Sequence, residues 1–167
     1  MSGSSADTRV APFSLEHREE LRAAALAIVQ QAHRSLDIVS RHLDPILYDN
    51  EAFVTAVRTL VVGSARARVR FLVLDTTPLA GSGHRLLELA QRLSSFLTLR
   101  VPGPEHRSLN EAWLVADETG FLHRRLSDRF EATGSYDDRQ QAHALTQRLD
   151  AIWERAQAPP HLRRLFL

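Results

Sequence analysis

The chain contains no lysine and no cysteine, so two large classes of chemistry are excluded at the outset. All 21 basic residues are arginine. No Schiff base can form, no P-loop lysine can reach a nucleotide, and no ammonium group can clamp a phosphate. Without cysteine there is no disulfide, no thiolate nucleophile and no sulfur-ligated zinc, as expected of a reducing cytoplasm. Long apolar runs are also missing, and the small, polar stretch from Met1 to Pro12 lacks the apolar core of a signal peptide. A cytoplasmic protein is expected, with residues 1–12 as a disordered lead and 13–167 as one domain. A net charge of +1 offers no bulk attraction to nucleic acid or membranes.

What is present reads as an ordinary globular α/β domain: 44% of the residues are hydrophobic and 25% charged. Ser14 is a candidate N-cap for a first helix carrying Leu21, Ala25, Ile28 and Ala32 at helical spacing. A strand over 36–40 and a loop over 41–50 follow. A second helix over 51–62 has Phe53, Val57 and Leu60 on one face. Val69 to Leu74 reads as a strand covered on both faces. A helix over 84–94 precedes a strand over 96–101, stopped by Pro102, Gly103 and Pro104. Segments 112–116 and 121–124 flank Asp117-Glu118-Thr119-Gly120, a hairpin turn with Gly120 suited to positive φ. The longest helix, 138–156, carries Ala142, Leu145, Leu149, Ile152 and Trp153. The tail residues Leu162, Leu165, Phe166 and Leu167 are apolar enough to dock. These elements predict a mixed sheet flanked by helices on both sides.

This order, with the run "ARARVRFLVLD" from Ala65 to Asp75, resembles one lobe of the phospholipase D superfamily. That family carries a His-x-Lys-x4-Asp motif in which the histidine is the nucleophile and the lysine holds phosphate. The segment "NEAWLVAD" falls in register with it: Asp117 at the aspartate position, Asn110 at the histidine position and Ala112 at the lysine position. An amide is a poor nucleophile and a methyl group cannot grip phosphate. The family's following Gly-Ser pair has a counterpart in Gly134-Ser135, at a longer spacing than usual. The runs "LDPILYD", "GHRLLELAQRL" and "LVADETGFLHR" resemble an uncharacterised proteobacterial domain of degenerate phospholipase-D-like fold, which also occurs behind N-acetyltransferase domains.

The resemblance implies a catalytically inactive domain with a binding or assembly role. Because active relatives pair two lobes, it also implies a two-fold homodimer. Alternatives are an arginine-lined module for a phosphate-bearing ligand or nucleic acid, an accessory domain to an N-acetyltransferase, and an enzyme using His84 or His106 with Asp117. Anion-binding candidates are Ser82, Gly83 and His84 at a helix start, and Arg100, His106, Arg107, Arg124 and Arg125 around the hairpin. Asp117 has a plainer role as a turn cap. His42 and Asp44 flank one residue but make no metal motif. Neither cofactor, metal site nor membrane segment is expected.

Overall fold

A computed structural model describes residues 11–159. The expected lead thus lies almost wholly outside the described residues, as does the apolar tail at Leu162, Leu165, Phe166 and Leu167. Seven strands form one mixed sheet in the order β1-β7-β6-β5-β2-β3-β4. β2 (Ser35–Ser40), β3 (Arg68–Val73) and β4 (Leu97–Arg100) are parallel. β5 (Ala112–Ala116), β6 (Gly120–Arg124) and β7 (Ala132–Ser135) form an antiparallel meander, and β5 joins the parallel half by pairing antiparallel with β2. β1 (Phe13–Leu15) closes the far edge against β7.

Strand alternation explains how the layers assemble. Leu36, Ile38, Val69, Phe71, Leu97, Leu99 and Leu114 point to one face. There they meet helices α1 (Arg18–Gln30), α3 (Glu51–Gly63) and α4 (Arg85–Arg92). Val39, Leu72, Trp113, Val115 and Phe121 point to the other face, which is covered by α5 (Arg139–Trp153). The expected mixed sheet with helices on both faces is therefore what the chain forms.

Three local expectations change. Ser14 does not cap a helix; it lies in β1 opposite Thr133, and α1 starts after His17, whose side chain makes no capping bond. The segment 41–50 contains a one-turn helix, α2 (Pro45–Tyr48), capped by the Asp44 carboxylate on the Ile46 N–H at 3.2 Å. The turn residues with positive φ are Asp117 (56°) and Glu118 (52°), not Gly120. Gly120 is glycine for another reason: a Cβ there would run into the Gln31 side-chain amide. β1 escapes sequence reading because its three residues pair with a strand more than a hundred residues away, and β7 because Ala-Thr-Gly-Ser shows no apolar alternation.

The α5 face includes an ionic group within its apolar layer. Arg70 donates to both Asp37 oxygens at 2.9 and 3.0 Å and to Asp150 at 2.8 Å. Trp153 covers it, with the ring centroid 5.5 Å from the guanidinium carbon. Asp37 and Arg70 are both buried, so each charge is tolerated only because the other is present. Arg70→Met is expected to cost about 3–5 kcal/mol in urea unfolding by stranding Asp37. The double substitution Asp37→Leu with Arg70→Met is expected to cost less than Arg70→Met alone.

Candidate functional site

The candidate residues lie at two edges of the sheet. At the carboxyl ends of β2 and β3 lie Arg41, His42 and Asp75, joined by the start of β5 (Asn110, Glu111, Ala112) and the end of β6 (Arg124). At the opposite, amino edge lie the β5–β6 turn, the starts of β2 and β3, and the first turn of α5.

The register places Ala112 directly opposite Arg124. A guanidinium thus stands across the ladder from the position that the resemblance assigns to lysine. Its donors are engaged internally. Nε donates to the Arg129 carbonyl at 2.8 Å, Nη2 to the Ser127 and Arg129 carbonyls at 2.7 and 2.6 Å, and Nη1 to Asp44 at 3.2 Å. Arg124 is 5% exposed and organises the 125–131 loop. Asn110 is held at the same place: Ser127 donates its N–H to the Asn110 carbonyl at 2.8 Å, and its hydroxyl lies 3.0 Å from Asn110 Oδ1. Tyr48, buried near Arg124 and Asp44, has its phenol pKa pushed up by desolvation and stays protonated.

The remaining anion-binding candidates are not brought together. His84 is buried and caps α4, its Nδ1 accepting the Leu86 N–H at 3.2 Å while Nε2 donates to the Leu43 carbonyl at 3.0 Å. Burial pushes its pKa down, which favours this neutral tautomer. Ser82 accepts the His84 N–H, and Asp49 takes the Arg85 N–H at 2.9 Å, so the start of α4 is satisfied internally. Gly83 has a φ of +69° and supplies only the turn. Arg100 donates to the Trp153 carbonyl at 3.0 Å and stacks on its ring at 4.6 Å. His106 and Arg107 belong to a short 3-10 turn beyond β4, and Arg125 is exposed beside the 125–131 loop. His42 pairs with Asp75 at 3.2 Å while Asp44 pairs with Arg124, so those two do not converge. Among the described residues no group of three His, Asp or Glu side chains is placed to hold a metal ion.

Asp117 sits at the amino edge, the full length of β5 away from Asn110, so it cannot orient His84 or His106 at the other edge. Its carboxylate accepts the N–H groups of His33, Arg34 and Ser35 at 2.8, 2.7 and 2.9 Å. It therefore caps the entry to β2 across the sheet, not only its own turn. Gly134-Ser135 also lies toward this edge, with Ser135 opposite Phe121, and is remote from Asn110. A Cβ at Gly134 would strike the Phe121 carbonyl and the Phe13 ring, so the glycine serves sheet closure.

Two groups of side chains had no local signal in the sequence. On the α5 face, Arg148 makes a bidentate pair with Glu111 at 2.8 and 2.9 Å, and His123 approaches the same carboxylate at 2.6 Å. These partners hold the Glu111 pKa down at about 2, with the Arg148 hydrogen bonds the largest cause. Arg148 also stacks on Trp113 at 4.7 Å, which ties α5 to the meander. The second group is a set of arginines at the amino edge: Arg34, Arg66, Arg68 and Arg139.

Comparison with known structures shows the fold of the phospholipase D family. The chain matches the phospholipase D family member Nuc from Salmonella typhimurium with a TM-score of 0.61 at 12% identity, covering 88% of this chain and 97% of Nuc. NucT from Helicobacter pylori matches with a TM-score of 0.56 at 9% identity, covering 89% of this chain and 98% of that one. TrmBL2, an archaeal chromatin protein described as showing a novel mode of DNA binding, matches with a TM-score of 0.64 at 12% identity. That match covers 87% of this chain but 53% of TrmBL2, so the chain spans about half of that protein's length. No curated protein matches the sequence. Residues 17–165 match the family described as "Domain of unknown function (DUF7931)", and the chain belongs to that family. No helix among the described residues is long and apolar enough to cross a membrane.

Two outcomes follow from this geometry. Asp117→Ala is expected to lower stability by about 2 kcal/mol, because it removes an ionised acceptor shared by three N–H groups. Asp117→Asn, which tolerates the left-handed turn and keeps one acceptor, is expected to cost less; urea midpoints check both. Because the Glu111 pKa is depressed in the fold, its contribution is present above the ordinary carboxylate value of 4.5 and lost as pH falls toward about 2. The stability gap between wild type and Glu111→Gln is expected near neutral pH and to close progressively below pH 4.5 in pH-dependent denaturation.

Proposed function

We propose that this chain is a phospholipase-D-like domain that has lost phosphotransfer chemistry and acts through binding and assembly. The observation that carries the reading is the state of the carboxyl edge. The cation opposite Ala112 is sealed by three carbonyl bonds and an Asp44 pair, and an amide stands at Asn110 where the resemblance implies a nucleophile. A phosphate arriving there would have to displace internal hydrogen bonds of a buried charge, and no side chain at these two positions would attack it.

Assembly as a homodimer is part of this proposal. Beside the sealed edge, Ile46, Leu126 and Phe130 are exposed apolar residues, at 37, 43 and 37%. A two-fold partner would remove such side chains from water.

Hydrolysis of bis(p-nitrophenyl) phosphate is expected to stay at the buffer rate across pH. Turnover that co-purifies with the chain and disappears in Asn110→Ala would overturn the inactive reading. Light scattering at micromolar concentration is expected to give twice the chain mass, with Leu126→Glu and Phe130→Glu shifting it to the monomer. A monomer at every concentration would remove the assembly part.

A further inference from the structure

We propose that the amino edge of the sheet is a binding site for the phosphodiester backbone of a nucleic acid, gripped by Arg34, Arg66, Arg68 and Arg139. These four side chains line a cleft of about 700 Å³. It is walled by the starts of β2 and β3, the β5–β6 turn and the first turn of α5.

Arg70, Arg85, Arg124 and Arg148 find carboxylates or carbonyls, and the unpaired Arg107 and Arg125 lie apart from this cleft, whereas here four guanidinium groups share one lining. The four in the cleft make no side-chain hydrogen bond or ion pair among the described residues. Acidic groups are within the same cleft, but they are committed to other partners. Asp117 is held by three backbone N–H groups, and Glu118 pairs with His143 at 3.2 Å. Asp138 caps the Gln141 N–H, and Asp137 lines the adjoining hollow together with Arg139. With Arg34, Arg66, Arg68 and Arg139 against Asp117 and Glu118, the cleft lining is cationic although the whole chain is close to neutral. A concave wall concentrates that potential.

The backbone that carries the arginines is also well anchored. The Arg68 N–H donates to the Arg34 carbonyl at 3.0 Å, the Arg34 N–H to Asp117 at 2.7 Å, and the Arg66 N–H to the Ser64 hydroxyl at 3.2 Å. Free guanidinium groups on a pinned backbone are ready to bind without local folding. They are spread along two strand starts and a helix start and do not converge on one point. That spacing suits a ligand with phosphates repeated along a chain more than a single phosphate group, and guanidinium forks bind phosphate oxygens in pairs.

This inference extends the non-catalytic reading and rests on it only in expecting the ligand to be bound and not cut. The test is fluorescence anisotropy of a labelled mixed-sequence single-stranded DNA with the full chain, over a salt series. Binding is expected, with log affinity falling against log salt at a slope of about −3 for four neutralised phosphates. Arg34→Gln with Arg68→Gln should lose about half of that slope and weaken binding about tenfold or more at low salt. Circular dichroism should confirm the unchanged fold expected for exposed, unpaired side chains. Arg125→Gln, at the opposite edge, should bind like wild type. Unlabelled duplex DNA or RNA should compete, whereas ATP and inorganic phosphate at equal phosphate concentration should not. Absence of binding, indifference to the double substitution, an equal loss in Arg125→Gln, or equal competition by ATP or phosphate would each overturn the proposal. Cleavage of the oligonucleotide on a gel would instead overturn the non-catalytic reading while leaving the cleft assignment standing.

Discussion

The junction between the parallel and antiparallel halves of the sheet depends on one carboxylate. β2 is the last parallel strand and β5 the first of the meander, and their pairing is the seam along which the architecture changes. Asp117 ties that seam from the turn after β5 by accepting three N–H groups at the entry to β2. It does so from a left-handed backbone conformation, which an aspartate tolerates better than most residues. Holding the turn against the β2 entry fixes the register of β5. That register sets Ala112 opposite Arg124 and carries Asn110 to the far edge. The same contact turns the Asp117 carboxylate onto the backbone, and no arginine of the cleft forms an ion pair with it.

Charge is partitioned along the sheet in a way that the total conceals. At the carboxyl edge and on the α5 face, cations are internalised: Arg124 in a loop of carbonyls, Arg70 between two aspartates, Arg148 on Glu111. Each of these would be costly to expose or to strand, because a buried charge without a partner is far less stable than a paired one. They function as structural ties. At the amino edge, the acids face the backbone or a histidine, and the arginines face water. The chain has the fold of the phospholipase D family, and Asn110 and Asp117, at positions the resemblance assigns to its motif, hold a loop and a strand entry.

How far the residues could be read in advance depended on the range of the interactions involved. Helices α1, α3, α4 and α5 and strands β2 to β6 were legible because apolar spacing is a local signal, and the mixed sheet followed from their order. Strand β1 was not, since its three residues are held by remote pairing with β7, and β7 was not, since Ala-Thr-Gly-Ser carries no apolar alternation. The anion-binding candidates are neighbours in sequence only. His84 and Arg100 instead spend polar atoms on Leu43 and Trp153, which only the tertiary path brings near, while Arg124 folds back onto carbonyls of the loop that follows it. Arg34, Arg66, Arg68 and Arg139 gave no signal as a group, because 65 residues, 74–138, lie between β3 and α5.

Composition alone determined that neither lysine nor thiol chemistry occurs in this chain, and the segment 110–117 alone determined that an amide and a methyl group stand where the resemblance implies a nucleophile and a phosphate clamp. These are statements about which atoms exist, and no folding can alter them. Only the tertiary structure decided which of the arginines are spent and which are free. That depends on the acceptors each guanidinium meets across the sheet, and pairing between distant segments leaves no periodicity for the sequence to display.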